Sequence, residues 1–140
     1  MTRLETIIRE VEARLKVGLD ADVKRGVSIP SRIGNSGLVI IRDGDPGDPD
    51  VTLSPLTYHF DHALELEIFA DGASDRFTRF DVIKEQISTV FAADRALGGL
   101  CDWIEAEAPR QEDLPVEGGA TIKAAIIDVV VQYATADSVG

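Results

Sequence analysis

From Thr57 to Ala70 the even-numbered positions read Tyr58, Phe60, His62, Leu64, Leu66 and Ile68, while the odd ones include His59, Asp61, Glu65 and Glu67. Successive side chains of a strand point to opposite faces, so this alternation predicts a strand with one buried and one wet side. At ~3.3 Å per residue such a strand reaches roughly 45 Å, longer than a compact domain of this size needs. Either a bulge bends it, or one end projects beyond the body as an arm. Asp71-Gly72 ends the alternation, and the period then changes. Phe77, Phe80, Ile83, Ile87 and Phe91 recur every three or four residues, with Asp81, Lys84, Glu85 and Gln86 largely opposite. That is the apolar stripe of a helix, which Ser74 or Asp75 can cap. The stripe carries three of the five phenylalanines, so the core is expected to form against it.

On either side of this pair the chain reads more simply. Thr2 and Glu5 have the spacing of a capping box, and Leu4, Ile7, Ile8, Val11 and Leu15 form one stripe that Gly18 stops. A helix is therefore expected from about Arg3 to Val17. Leu19–Ser36 has no clean period and reads as an irregular connection, with an extended piece at Val27–Ile29. Leu38-Val39-Ile40-Ile41 is a short apolar run of buried-strand type, and Asp43 to Asp50 reads as a solvated, mobile loop. After the turn Leu97-Gly98-Gly99-Leu100, Cys101 to Ala106 reads as a strand and Pro109 to Gly119 as a long connection. In the last strand, Thr121 to Ala134, Ala125, Ile127, Val129, Val131 and Tyr133 line one face and Ala124, Ile126 and Val130 the other. Being apolar on both sides, it belongs in the middle of a sheet, or between a helix and a partner subunit.

At 140 residues, 44% of them apolar, one domain with a single core is the default. The fold class is α+β: an antiparallel or mixed sheet of about four to five strands packed with helices, in the order α-β-β-α-β-β. One domain spans 1–140, with mobile loops at 44–56 and 109–119. No apolar run approaches the ~20 residues of a membrane span, and no signal-peptide pattern is visible. The single cysteine, Cys101, makes no internal disulfide, which points to a reducing compartment. A net charge of −11, from 14 basic and 25 acidic residues, argues against a surface that grips nucleic acid. The acidity serves solubility, or lines a channel past which DNA slides.

The residues show no active site. Asp43, Asp45, Asp48 and Asp50 offer closely spaced oxygens for a hard cation, but Pro46 and Pro49 interrupt the turn and Ser54 stands where a closing glutamate belongs. His59 and His62, three apart on a strand, face opposite sides and do not converge on a metal. His62 interrupts the apolar face and reads as a partly buried, hydrogen-bonded histidine. Cys101 lacks a local motif tying it to either histidine, and no nucleophile elbow, phosphate loop or dinucleotide fingerprint occurs. No catalytic, cofactor-binding or metal-ligating residue is assigned.

The run Ala93-Asp94-Arg95-Ala96-Leu97-Gly98-Gly99-Leu100-Cys101-Asp102-Trp103-Ile104 resembles the helix end and following strand of the tail terminator proteins of long-tailed phages, the group that includes minor tail protein U. The N-terminal helix, the early apolar strand with its Asp43-Gly44-Asp45 loop, the long charged-and-apolar strand, and the Glu117-Gly118 turn before a terminal strand are similar as well. The resemblance covers most of the chain, through short, non-catalytic motifs. It implies a structural virion assembly protein: a ring, typically a homohexamer, that caps the head-proximal end of the tail tube, stops tube growth and joins tail to head. The implied partners are the tail tube protein and a head or neck connector protein, with DNA passing through the ring unbound and no membrane involved. Its place would be the virion tail, after assembly in the host cytoplasm, and similar genes occur in prophages and gene transfer agents. Asp43, Asp45, Asp48, Asp50, Arg110 and Glu112, on the two polar loops, are the expected protein contacts. The alternatives are another neck or connector ring protein, a small cytosolic transferase or hydrolase, or a free-standing module binding through the aspartate loop.

Overall fold

The computed structural model describes residues 1–30, 32–72, 74–110 and 122–140. Thr2 caps α1 (Arg3–Gly18), its hydroxyl accepting from the Glu5 N–H at 3.1 Å. The reciprocal half of the expected capping box is replaced: the Glu5 carboxylate accepts from Arg9 at 2.7 Å and from both Nη atoms of Arg25 at 2.8 and 2.9 Å. Ile7, Ile8, Val11 and Leu15 are buried, as their spacing predicts. Gly18 lies inside the helix, not beyond it. A Cβ there would come within 2.3 Å of Val90 Cγ2, so this glycine lets α1 and α2 (Arg76–Ala93) approach closely.

Between the helices come β1 (Asp22–Arg25), β2 (Leu38–Asp45), β3 (Asp50–Thr52) and β4 (Thr57–Ala70). After α2 follow a 3-10 turn at Leu97–Gly99, β5 (Trp103–Ala106) and β6 (Lys123–Thr135). The Asp94 carboxylate holds that turn, accepting from the backbone N–H of Ala96 and Gly98 and pairing with Arg14 at 3.0 Å. One sheet results, in the order β1-β2-β4-β6-β5, with β3 beside β4 off this path. β1 runs parallel to β2 and every other pair is antiparallel. The fold is the expected α+β arrangement, with two short strands, β1 and β3, that the sequence pattern did not show. Too short to establish a period of their own, both form by pairing with a longer neighbour.

The two faces of the sheet differ. Toward the helices point Val39 and Ile41 of β2, the even positions of β4 from Phe60 to Ala70, and the odd positions of β6 from Ala125 to Tyr133. They meet Phe80, Ile83, Ile87 and Phe91 of α2 and the stripe of α1 in the main core. Among the described residues, no helix covers the opposite face. At one end Leu38, Ile40 and Phe69 are covered by Val27, Ile29 and Ile33 of the connection and by Ile122 and Ala124. Further along runs a belt of ion pairs, Arg42 to Glu67 at 2.8 Å and Arg110 to Asp128 at 3.1 Å and to Glu65 at 3.6 Å. The odd face of β4 is therefore wet only in its first part; Glu67 and Phe69 are buried. β6 lies inside the sheet, between β4 and β5, which accounts for its two apolar faces.

Three expectations change. The extended segment of the connection is Asp22–Arg25, held by its parallel partner β2, and not Val27–Ile29. Asp43 to Asp50 is not loop throughout, since Asp43 to Asp45 extend β2 and Asp50 opens β3. Phe77 is 60% exposed. It stands in the first turn of α2 at the margin of the stripe, beyond the reach of the core. The Glu117-Gly118 turn and most of the 109–119 connection lie outside the described residues.

Candidate assembly surfaces

Two arrangements were open for the over-long strand, and the bulge lies in its partner. β4 pairs with β6 without interruption from Tyr58 opposite Thr135 to Ala70 opposite Lys123. β2 instead shifts register between Arg42, opposite Glu65, and Asp45, opposite Ala63, so that one extra residue sits on β2. Gly44 makes this possible: its φ is +71°, and a Cβ would lie 1.8 Å from the Ala63 carbonyl oxygen. The bulge also turns the Asp43 carbonyl onto the His62 ring, whose Nε2 donates to it. Beyond the bulge, β3 pairs with the start of β4, and the hairpin tip between them is exposed at every position from Val51 to Leu56. Val51, Leu53 and Leu56 are exposed there by 49%, 77% and 47%. The start of β4 is still paired with the end of β6 on its other side, so the length of β4 is taken up by the sheet and only the hairpin tip forms the arm. Its apolar tip was hidden in a segment that reads as polar, and three aliphatic residues among aspartates and prolines were the only available sign.

The structure separates the residues singled out for contact. Asp43 pairs with Arg25 at 2.9 Å and belongs to the Glu5–Arg25–Asp43 cluster beside α1. Those hydrogen bonds from Arg25 and Arg9 lower the Glu5 carboxyl to about 2. Asp45 accepts from the Gly47 N–H at 2.8 Å and closes the loop on itself. Asp48 and Asp50 are exposed at the base of the arm, Asp50 opposite His59. Arg110 lies at the other side of the sheet, bridging to Ile126 through its backbone and reaching Asp128 and Glu65 across the open face. Glu112 lies outside the described residues.

The four aspartates diverge, and among the described residues no group of three or more His, Cys, Asp or Glu side chains could hold a metal ion. His62 is buried on the helix side and His59 is exposed on the other, where its Nε2 lies 3.3 Å from the Thr52 hydroxyl. Cys101 is buried, its thiol donating to the Arg95 carbonyl at 3.6 Å. Burial, then the nearby Asp102 and Asp94 charges, push that thiol up, away from the thiolate a nucleophile needs. An open depression of about 300 Å³ beside α2, whose walls include Asp20, Ser36, Thr78 and Arg79, contains neither histidine nor cysteine.

No protein-family model and no curated protein matches the sequence. Among solved structures, the chain is similar to the sheath/tube terminator of an extracellular contractile injection system, PVC, in its extended state by cryo-EM. The TM-score is 0.48 and the identity 12%, over 94% of this chain and 56% of that one. The chain thus spans little more than half the length of its structural neighbour, and at this similarity nothing about activity or partners transfers from it.

Proposed function

We propose that the protein is a structural assembly component of a phage-type tail, acting as a tail terminator without catalysis. On this reading about six subunits form a ring on the head-proximal end of the tail tube, stop its growth and present the surface to which the head or its connector attaches. DNA passes through the ring without specific binding. The setting is a virion tail, or its counterpart in a prophage or gene transfer agent, assembled in the host cytoplasm. The sequence resemblance through Ala93–Ile104 motivates the reading, and one structural observation carries it: the arm built by β3 and the start of β4, with Val51, Leu53 and Leu56 bare at its tip. Aliphatic side chains gathered and exposed at a hairpin tip are suited to contact with a neighbouring protein. Asp48 and Asp50 at its base, Arg110 on the far side, and Glu112, which follows Arg110 closely in sequence, are proposed contacts of the same assembly.

Electron microscopy of tubes grown from the matching tube protein tests it. With the protein present, tubes should end in rings of about six subunits and stop lengthening; with a Leu53→Asp, Leu56→Asp variant they should grow on. A protein that stays monomeric beside its tube protein and leaves tube length unchanged would sink the proposal.

A further inference from the structure

The arm lies at one end of β4, and a feature of opposite chemistry lies at the other. β4 ends at Ala70, opposite Lys123 at the start of β6, and α2 begins just beyond. There the exposed ring of Phe77 is approached by the Arg76 guanidinium at 4.8 Å and the Lys123 ammonium at 5.5 Å. Lys123 also stands 4.8 Å from the Phe80 ring, which Lys84 approaches from 5.5 Å. Asp81 pairs with Lys84 at 3.5 Å, but among the described residues no carboxylate pairs with Lys123. The first turn of α2 carries no acid. The acids near this end are Asp71, which has a partner, Asp75 at the N-cap of α2, and Asp81, already paired with Lys84, so beside the exposed Phe77 ring it is Lys123 that has no carboxylate partner among the described residues. The arm supplies the complement, since its aliphatic tip is flanked by Asp48 and Asp50, neither of which pairs with a cation among the described residues.

An arm cannot fold back onto its own patch, because the length of β4, roughly 45 Å, separates them. Two different surfaces at opposite ends of one rigid strand pair form a head-to-tail contact, the kind that closes into a ring when the rotation between copies allows. The geometry points to a second copy of this chain as the occupant: Leu53 and Leu56 of one subunit seat against Phe77 of the next, with Asp48 and Asp50 toward Lys123. Aromatic and cationic groups at the patch receive aliphatic and anionic groups from the arm, so apolar burial and charge act together. This inference rests on the ring reading and names the contact that would build the ring.

Cysteine trapping tests the contact even when association is weak. Leu53→Cys and Phe77→Cys are each placed in a separate chain, both positions being exposed enough to leave the fold unaltered. Native Cys101 stays, since it is buried, and the unaltered chain serves as the control for its silence. After mild oxidation of an equal mixture, the mixed dimer should exceed either like-with-like dimer by about tenfold, against about twofold for random collision. Lys123→Glu in the Phe77→Cys chain should lower that yield several-fold, and Asp48→Lys with Asp50→Lys in the Leu53→Cys chain should restore it. A statistical ratio, a predominance of like-with-like dimers, no cross-linking, or indifference to Lys123→Glu each overturns the contact. Rings on tube ends alongside such a result would remove this interface and leave the terminator reading standing; no rings at all would remove that reading too.

Discussion

Replacing Phe91 by alanine removes a ring that is wholly buried where α2 faces the sheet. The lost transfer energy and the cavity left behind together cost about 3–5 kcal/mol for a fully buried phenylalanine. For 140 residues, an unfolding entropy of about 2.1 cal/mol/K per residue converts this to a fall in Tm of about 10–17 °C. Phe77 is the internal control. It sits on the same helix in the same apolar series but is 60% exposed, and its neighbours there are cations, not core side chains. Phe77→Ala should therefore cost no more than about 1 kcal/mol, the size of an exposed cation–π contact. Urea denaturation of the two variants beside the parent chain, with the slope checked for constancy, measures both values. Equal losses, or a larger loss at Phe77, would refute the placement of the α2 stripe and with it the orientation of the core.

Gly44→Ala should cost ~2 kcal/mol or more, because the new Cβ is driven into the Ala63 carbonyl as well as into an unfavourable positive φ. Gly47→Ala, at a φ of +64° with nothing within 4 Å, should lose only about 1 kcal/mol; matched thermal shifts would remove the bulge argument. Glu5 is expected to govern part of the acid response. Its carboxyl is lowered in the folded chain from 4.5 to about 2, so its stabilisation is complete above 4.5 and is lost as pH falls through about 2. The difference in Tm between the parent and Glu5→Gln should thus be constant above pH 5 and shrink between about pH 4.5 and 2. A difference that does not change over that window would contradict the Glu5–Arg25–Arg9 cluster.

Legibility in the sequence followed the range of the interactions. The stripe of α1, the apolar faces of β6 and the even positions of β4 were readable because each element has one dominant environment along its length. β1 and β3 were not, as four and three residues carry no period and gain their hydrogen bonds from β2 and β4. The aspartate segment misled for a related reason. Its glycines and prolines report local turn preference, while the pairing that carries β2 through Asp45 depends on a strand well over ten residues further along the chain.

What the sequence determined alone was the set of periodic surfaces: two helices with one apolar stripe each, a long alternating strand, and a terminal strand apolar on both sides. Those follow from fixed repeats of about 3.6 and 2 residues and need no knowledge of partners. The tertiary structure decided what the surfaces meet. It put the bulge in β2 and kept β4 in unbroken register with β6, left Phe77 outside the core, drew Asp43 and Arg110 into ion pairs of their own, and bared Val51, Leu53 and Leu56 on an arm. Burial and charge pairing depend on which distant residues arrive at the same place, and that is fixed only when the sheet closes its register.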